Sequence, residues 1–313
     1  MTLGVALVGS GGIASAHADA LTRLGRVRLR RVVSRRTEAA AQFGQAWSFE
    51  RSGTALAEAL SDDLVDVVII TSPSQLHAEQ AAAALGADKH VIVEIPVALC
   101  VADCERLRAL ARSVGRRVLV CHTMRSFPAI REMRARVEAG SIDVSQVFGF
   151  FAVPRRANEG WQGTRSWVDN LLWHHACHQV DAALWVLGHP RTSGVSACLG
   201  RDHPELGMVT DLSMTFRTDS RQVVTQMLTY NTAELMWELR FVTDTGHFTF
   251  RDGGLLDPSG RALGTSVSVR DVASQDDAMI TALESGRSSD FDLDQMIPAM
   301  YVLDLAERFA AGD

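Results

Sequence analysis

The chain has 313 residues, 47% of them hydrophobic, and a formal charge of −6. That suffices for two packed domains and excludes the basic field a nucleic-acid surface needs. No apolar run approaches the roughly 20 residues of a membrane helix, and Met1-Thr2-Leu3-Gly4-Val5 lacks the charged start and cleavage site of a secretion signal, so the expectation is a cytoplasmic protein.

Residues 1 to 122 alternate apolar strands, expected at 5–8, 27–33, 65–70, 91–93 and 118–120, with Ala-rich amphipathic helices such as 75–85 and 101–112. Short, wholly apolar strands separated by helices describe a doubly wound parallel sheet covered on both faces. From residue 123 the rhythm changes. A helix is expected at 128–139, a strand at 147–153 and a Trp- and His-rich helix at 170–187. Strands at 194–199, 209–217, 222–230, 236–243 and 247–250 then follow without intervening helices. That pattern predicts an α+β domain, 123–313, with an open, largely antiparallel or mixed sheet. Helices at 274–285 and 293–310 close the chain, and the last can return to the first domain.

Gly9-Ser10-Gly11-Gly12-Ile13-Ala14 sits between the first strand and a helix. It is a G-x-G-x-x-A dinucleotide fingerprint. Gly9 permits the turn, Gly11 and Gly12 let backbone approach the pyrophosphate, Ile13 opens the helix, and Ala14 packs close to the sheet. The second strand ends in Ser34-Arg35-Arg36-Thr37, with no carboxylate before Glu38. An acid there would hold a ribose 2′-hydroxyl and repel a 2′-phosphate. Serine and two arginines can bind the phosphate, so NADP is the expected cofactor. Solvated loop charges are the bland alternative.

Three strand ends add polar groups to the expected ligand crevice: Thr71-Ser72-Pro73 with His77 just beyond, Glu94-Ile95-Pro96, and Cys121-His122-Thr123. Turn chemistry alone would also place Pro73 and Pro96 there. Farther on, Trp173-His174-His175-Ala176-Cys177-His178-Gln179-Val180-Asp181 carries the densest functional chemistry. At 100° per residue His174, His178 and Asp181 share one helix face and His175 points elsewhere. H-x-x-x-H spacing can ligate zinc. The favoured reading is acid–base: His178 accepts a hydroxyl proton, His174 assists and Asp181 fixes the tautomer. No metal is expected. Only Lys89 among the 31 basic residues is a lysine, so anions must be held by arginine forks or backbone amides. Cys100, Cys104, Cys121, Cys177 and Cys198 form no C-x-x-C pair and read as reduced thiols.

The fingerprint, the E-x-P after the fifth strand and the H-x-x-D on a later helix together resemble the Gfo/Idh/MocA oxidoreductases over nearly the whole chain. The resemblance implies a Rossmann domain, a nicotinamide cofactor with Glu94 at its site, an open-sheet second domain and a homo-oligomer, commonly a homodimer, formed through those sheets. Two departures stand out. Ile95 occupies the family's lysine position, and His174 occupies the place of an aspartate four residues before the helix histidine. Both depart from polyol chemistry. The segments 93–96, 122–127, 165–169, 171–176 and 203–207 instead resemble a branch of the family that oxidises a carboxylated cyclic hemiacetal to a pyrone dicarboxylate. Such an anionic substrate would be held by Arg125, Arg155, Arg156 and Arg165, beside Trp167 and Trp173. Two alternatives stay open: a dehydrogenase of another sugar or hydroxy acid, and a cofactor-sensing regulator that has lost catalysis.

Overall fold

The computed structural model describes residues 2–155, 159–160, 163–164, 171–268 and 271–312. The chain divides into two compact units. One is Met1–His122 with Gly160–Gln162 and Asp271–Ile297, and the other is Thr123–Glu159 with Gly163–Arg270 and Pro298–Asp313.

The first unit runs β1 (Leu3–Val8), α1 (Gly12–Leu24), β2 (Val27–Val33), α2 (Thr37–Ala46), β3 (Arg51–Gly53), α3 (Leu56–Leu60), β4 (Val67–Ile70), α4 (His77–Gly86), β5 (His90–Val93), α5 (Val101–Val114) and β6 (Val118–Val120). The strands lie in the order β3-β2-β1-β4-β5-β6, and every pairing is parallel. This is the Rossmann order, whose ligand crevice opens beyond the strands' carboxyl ends where β1 meets β4. β4 is buried at all four positions, as a sheet covered on both faces requires. The core is closed by residues far down the chain: Met279, Ile280 and Phe291 pack with Val5, Leu7, Ile69 and Leu119. Phe291 also accepts a backbone hydrogen bond from Val120 at 2.8 Å.

The second unit holds α6 (Pro128–Glu138) and β7 (Val144–Ala152). The two-residue strands β8 (Glu159–Gly160) and β9 (Gly163–Thr164) follow in the chain, then a π-helical turn over Leu172–Ala176 and α7 (Cys177–Val186). Next come β10 (Thr192–Leu199), β11 (Asp202–His203), β12 (Met208–Val209), β13 (Asp211–Thr218), β14 (Val223–Thr229), β15 (Met236–Thr243), β16 (Gly246–Arg251), β17 (Gly254–Leu256) and β18 (Ala262–Leu263). Eight strands form a sheet ordered β10-β13-β14-β7-β15-β16-β17-β18. It is mixed: β14 and β7 run parallel, while the other neighbours are antiparallel. β13 and β15 alternate buried with more open positions, the signature of a sheet with one covered face. On the covered face Phe216, Leu228, Leu239, Phe241 and Phe250 are buried. On the other, Phe148 and Met227 remain 49% and 44% exposed.

Two helices close the chain, α8 (Ala273–Ser285) and α9 (Leu293–Ala311). The boundary between the units falls inside α9, at Pro298, a residue that cannot donate a helix hydrogen bond.

α7 ends in Gly188 and His189, with φ of 82° and 56°, and the His189 amide donates back to the Leu184 carbonyl at 2.8 Å. The His189 imidazole is tucked in, with neither ring nitrogen hydrogen-bonded among the described residues. Burial, and then the charge of Arg125, push its pKa down to about 4 from the usual 6.5. The folded state therefore resists a proton that the unfolded chain accepts, so stability drops as pH falls from about 6.5 toward 4. Asparagine tolerates the left-handed backbone and does not titrate. His189→Asn should narrow the loss of Tm between pH 7 and pH 4.5 by roughly 2 °C, after allowance for partial solvent screening. Calorimetry of both proteins at the two pH values checks this, and an unchanged gap would reject it.

Candidate active site

In the first unit the site begins with backbone. Gly9 has φ of 125°, and a Cβ built on it would lie 2.3 Å from Thr71 Oγ1, so only glycine lets β1 turn across the end of β4. Thr71 locks that crossing by donating both its amide and its hydroxyl to the Val8 carbonyl, each at 2.8 Å. A Cβ on Gly11 would meet nothing within 4 Å. That leaves open space above the start of α1, which Gly12 and Ile13 begin. No side chain caps this helix and no acid sits in its first turn, so its free amides favour an anion.

Ser10 Oγ and Ser34 Oγ lie 2.8 Å apart and tie the glycine turn to the end of β2. Next to Ser34, Arg35 and Arg36 are exposed, and no described residue forms an ion pair with either. Backbone cradle, serine pair and exposed guanidiniums fit a nicotinamide dinucleotide.

The deeper chemistry comes from β5. The Glu94 amide donates to the Ile70 carbonyl at 2.9 Å. Its carboxylate meets His17, which the sequence reading did not single out. His17 lies on the buried face of α1 with Ala14, Ala18 and Leu21 and is 0% exposed. Its Nε2 is 2.9 Å from Glu94 Oε1, and its Nδ1 is 2.8 Å from Oδ2 of Asp276 on α8. Burial alone would lower its pKa, but the Asp276 carboxylate overcomes this and, with Glu94 and Cys121, holds it well above the ordinary value. Two ion pairs at such range, each about 4 kcal/mol at an effective dielectric of 20, can offset the several kcal/mol lost in burying the imidazolium. The neighbouring Cys121 thiol is pushed up by burial and is no nucleophile.

The remaining first-unit expectations divide. Ser72 and Pro73 lie half-buried at the end of β4, where Ser72 Oγ donates to Gln80 Oε1 at 2.6 Å. His77 is buried, with Nδ1 2.8 Å from the Pro96 carbonyl and Nε2 2.7 Å from the Ser72 carbonyl. Instead of offering a ring to the cofactor, it braces two crevice loops. Burial lowers its pKa against the pull of those carbonyls. His122 is likewise buried, at 1% exposure. Ile95 is 4% exposed: the aliphatic side chain at the family's lysine position points into the core. Lys89 is 8% exposed and donates to the Asp62 carbonyl at 3.0 Å, so no lysine is available for catalysis.

In the second unit, every residue from 171 to 187 is buried except His174, His175 and His178. His175 was expected to point away. Its ring instead lies 4.4 Å from that of His174, stacks on Phe151 at 4.6 Å, and hydrogen-bonds the Tyr230 hydroxyl through Nδ1 at 2.5 Å. The π-helical turn explains the difference. Bonds of the i→i+5 type widen the turn, so the 100° step does not hold from 172 to 176. His178 packs edge-on to Trp237, with centroids 5.5 Å apart. Arg155 lies with its guanidinium 4.8 Å above the Tyr230 ring.

Three expected roles are corrected here. Arg125, meant to grip substrate, is 0% exposed, and Asp181, meant to orient a histidine, turns its carboxylate to that guanidinium. Arg125 Nε donates to Asp181 Oδ2 at 2.7 Å, and Nη2 donates to Oδ1. A buried cation needs such a partner more than a solvated substrate does. Trp173 is buried too, and its indole donates to Glu307 Oε1 of α9 at 3.0 Å. Arg156, Arg165 and Trp167 lie outside the described residues. Among the described residues, three metal-capable groups gather only at His17, Glu94 and Cys121, within 4.8 Å. There both imidazole nitrogens already face carboxylates, an arrangement that holds protons.

Comparison with known proteins agrees with this layout. Residues 3–122 match the model of the oxidoreductase family with an NAD-binding Rossmann fold, and residues 128–270 match the C-terminal domain of bacterial oxidoreductases. Over 304 residues, 96% of each chain, the sequence is 33% identical to 4-carboxy-2-hydroxymuconate-6-semialdehyde dehydrogenase of Sphingobium sp. (strain NBRC 103272 / SYK-6). Two solved structures share the fold. Levoglucosan dehydrogenase in complex with NADH has a TM-score of 0.89 at 19% identity, covering 100% of this chain and 98% of that one. GenD2 from gentamicin A biosynthesis, in complex with NAD, has 0.84 at 22% identity, covering 99% and 94%. With its NAD(P)-binding glycine turn, its two successive sheets and this full-length similarity, the chain belongs to the Gfo/Idh/MocA oxidoreductases.

Proposed function

We propose that this oxidoreductase uses NADP to oxidise the cyclic hemiacetal of 4-carboxy-2-hydroxymuconate-6-semialdehyde to 2-pyrone-4,6-dicarboxylate. The observation that carries the reading is the row of three partly open histidines in an otherwise buried segment, in a chain whose family lysine has become a buried isoleucine. Such histidines can accept a proton, and the chain's one lysine, Lys89, is buried and does not supply an ammonium to hold a polyol. Similarity along the full length to a dehydrogenase of a carboxylated semialdehyde supports the substrate class.

In this reading His178 accepts the hemiacetal hydroxyl proton as the C–H bond breaks and the ring carbon becomes a lactone carbonyl. Edge-on packing against Trp237 fixes its ring. His174 orients the substrate, and His175 with Tyr230 carries the proton onward. Arg155, Arg156, Arg165 and Trp167 are proposed to hold the substrate carboxylates, with Arg155 buried over the Tyr230 ring. Glu94 serves the cofactor end. When bound, the nicotinamide supplies the hydride acceptor.

The deciding assay follows NADP reduction at 340 nm with the enzymatically generated hemiacetal. The wild type should turn over, and His178→Ala should lose on the order of a hundredfold in kcat. Turnover of neutral polyols but not of this hemiacetal would favour a sugar dehydrogenase. Tight NADP binding without turnover of any substrate would favour a regulator.

NADP preference rests on Ser34, Arg35 and Arg36. Replacing both arginines with alanine should raise KM for NADP by roughly tenfold or more, the loss of at least one charge-assisted contact, and leave KM for NAD nearly unchanged. Equal effects on both cofactors would remove the 2′-phosphate from the explanation.

The exposed Phe148 and Met227 face of the second sheet is proposed as the surface of a homo-oligomer, most simply a homodimer. Two charges introduced there, Phe148→Glu with Met227→Glu, should halve the sedimentation mass. A wild type that sediments as a monomer would end this proposal.

A further inference from the structure

The nicotinamide crevice and the end of the chain meet at one buried group. Asp276 belongs to the return segment 271–297 and stands 259 residues from His17 in sequence. An imidazole that faces two ionised carboxylates through its two nitrogens satisfies both only as an imidazolium, since a neutral ring has one N–H and would turn a lone pair toward the other anion; burial raises the Asp276 pKa, and the charge of His17 opposes that rise. The charged or titratable groups facing the ring are Asp276 from α8, Glu94 after β5 and the Cys121 thiol after β6. Asp276 and His17 are enclosed, with side chains 3% and 0% exposed, whereas Glu94 keeps 14%. The exposed end of this three-residue chain is thus the one at the crevice.

We propose that His17, anchored by Asp276, is a positioning residue that holds Glu94 ionised and fixed at the cofactor crevice. Glu94 then acts as a hydrogen-bond acceptor, with the cation held behind it. His17 itself touches neither cofactor nor substrate. Its effect on turnover passes through the Glu94 carboxylate, so removing His17 and removing the Glu94 charge should disable the same device. The kinetic side rests on the crevice serving the oxidation proposed above. The protonation side does not.

The test has two arms. In the first, nitrogen-15-labelled histidine in the cofactor-free wild type is followed by long-range nitrogen–proton NMR at pH 8. The inference expects one ring, assigned by its loss in His17→Gln, with protons on both nitrogens, and expects that signature to vanish in Asp276→Asn. A His17 ring carrying one proton in the wild type overturns the proposal, whether or not any substrate is turned over. In the second arm, His17→Gln, Glu94→Gln and the double variant are compared in a double-mutant cycle. Each single variant should lose on the order of tenfold or more in kcat, with KM for NADP changed by less than about threefold and the double variant no worse than either single. Additive losses would make His17 a structural residue independent of Glu94. Should His17→Gln fail to fold, Asp276→Asn takes its place in the cycle.

Discussion

One imidazolium between two carboxylates joins three distant stretches of this chain. His17 comes from the helix after the glycine turn, Glu94 from the loop after the fifth strand, and Asp276 from a helix more than 180 residues farther on. Burying three ionisable side chains costs several kcal/mol each unless they meet, so the folded first unit is the state in which they meet. The same contact explains why the Rossmann sheet is incomplete as a product of its first 122 residues. Met279, Ile280 and Phe291 fill its apolar core, and Asp276 supplies the counter-ion. Hydrophobic burial brings the return segment back, and the ion pair fixes its register.

The second unit applies the same rule. Arg125 is a buried cation, and Asp181 sits against it as a carboxylate partner. Between 171 and 187 only His174, His175 and His178 are partly open, and His175 bonds the buried Tyr230 hydroxyl. Fixed charge lies inside and mobile protons lie at the surface of the site. That division suits a proton acceptor, whose imidazole must change charge in each cycle while its surroundings do not.

Much of this was legible in the residues. The strand rhythm gave the parallel sheet, and Gly9 gave the tight turn between β1 and α1. Those features act locally, through backbone sterics, which is why a linear reading reaches them. What stayed hidden depends on long-range partners. Asp181 looked like a histidine's partner because both lie on one helix, but its real partner is 56 residues away. His77 looked like a ligand group, and two carbonyls claimed it. The π-helical turn could not be seen because its sequence carries no breaker, and with it went the angular argument about His175. His17 did carry a signal. With Ala14, Ala18 and Leu21 at helical spacing it falls on the apolar stripe of α1, and a histidine on such a stripe must find partners inside.

The scarcity of lysine has a practical outcome. The single ε-amine of this chain is folded under, with Asp62 as its carbonyl acceptor, while the outer cationic side chains are guanidiniums. Amine-directed cross-linkers, biotin esters and aldehyde fixatives would therefore find no open lysine on this protein, whereas arginine-selective dicarbonyls would meet its outer guanidiniums and thiol reagents the exposed Cys198.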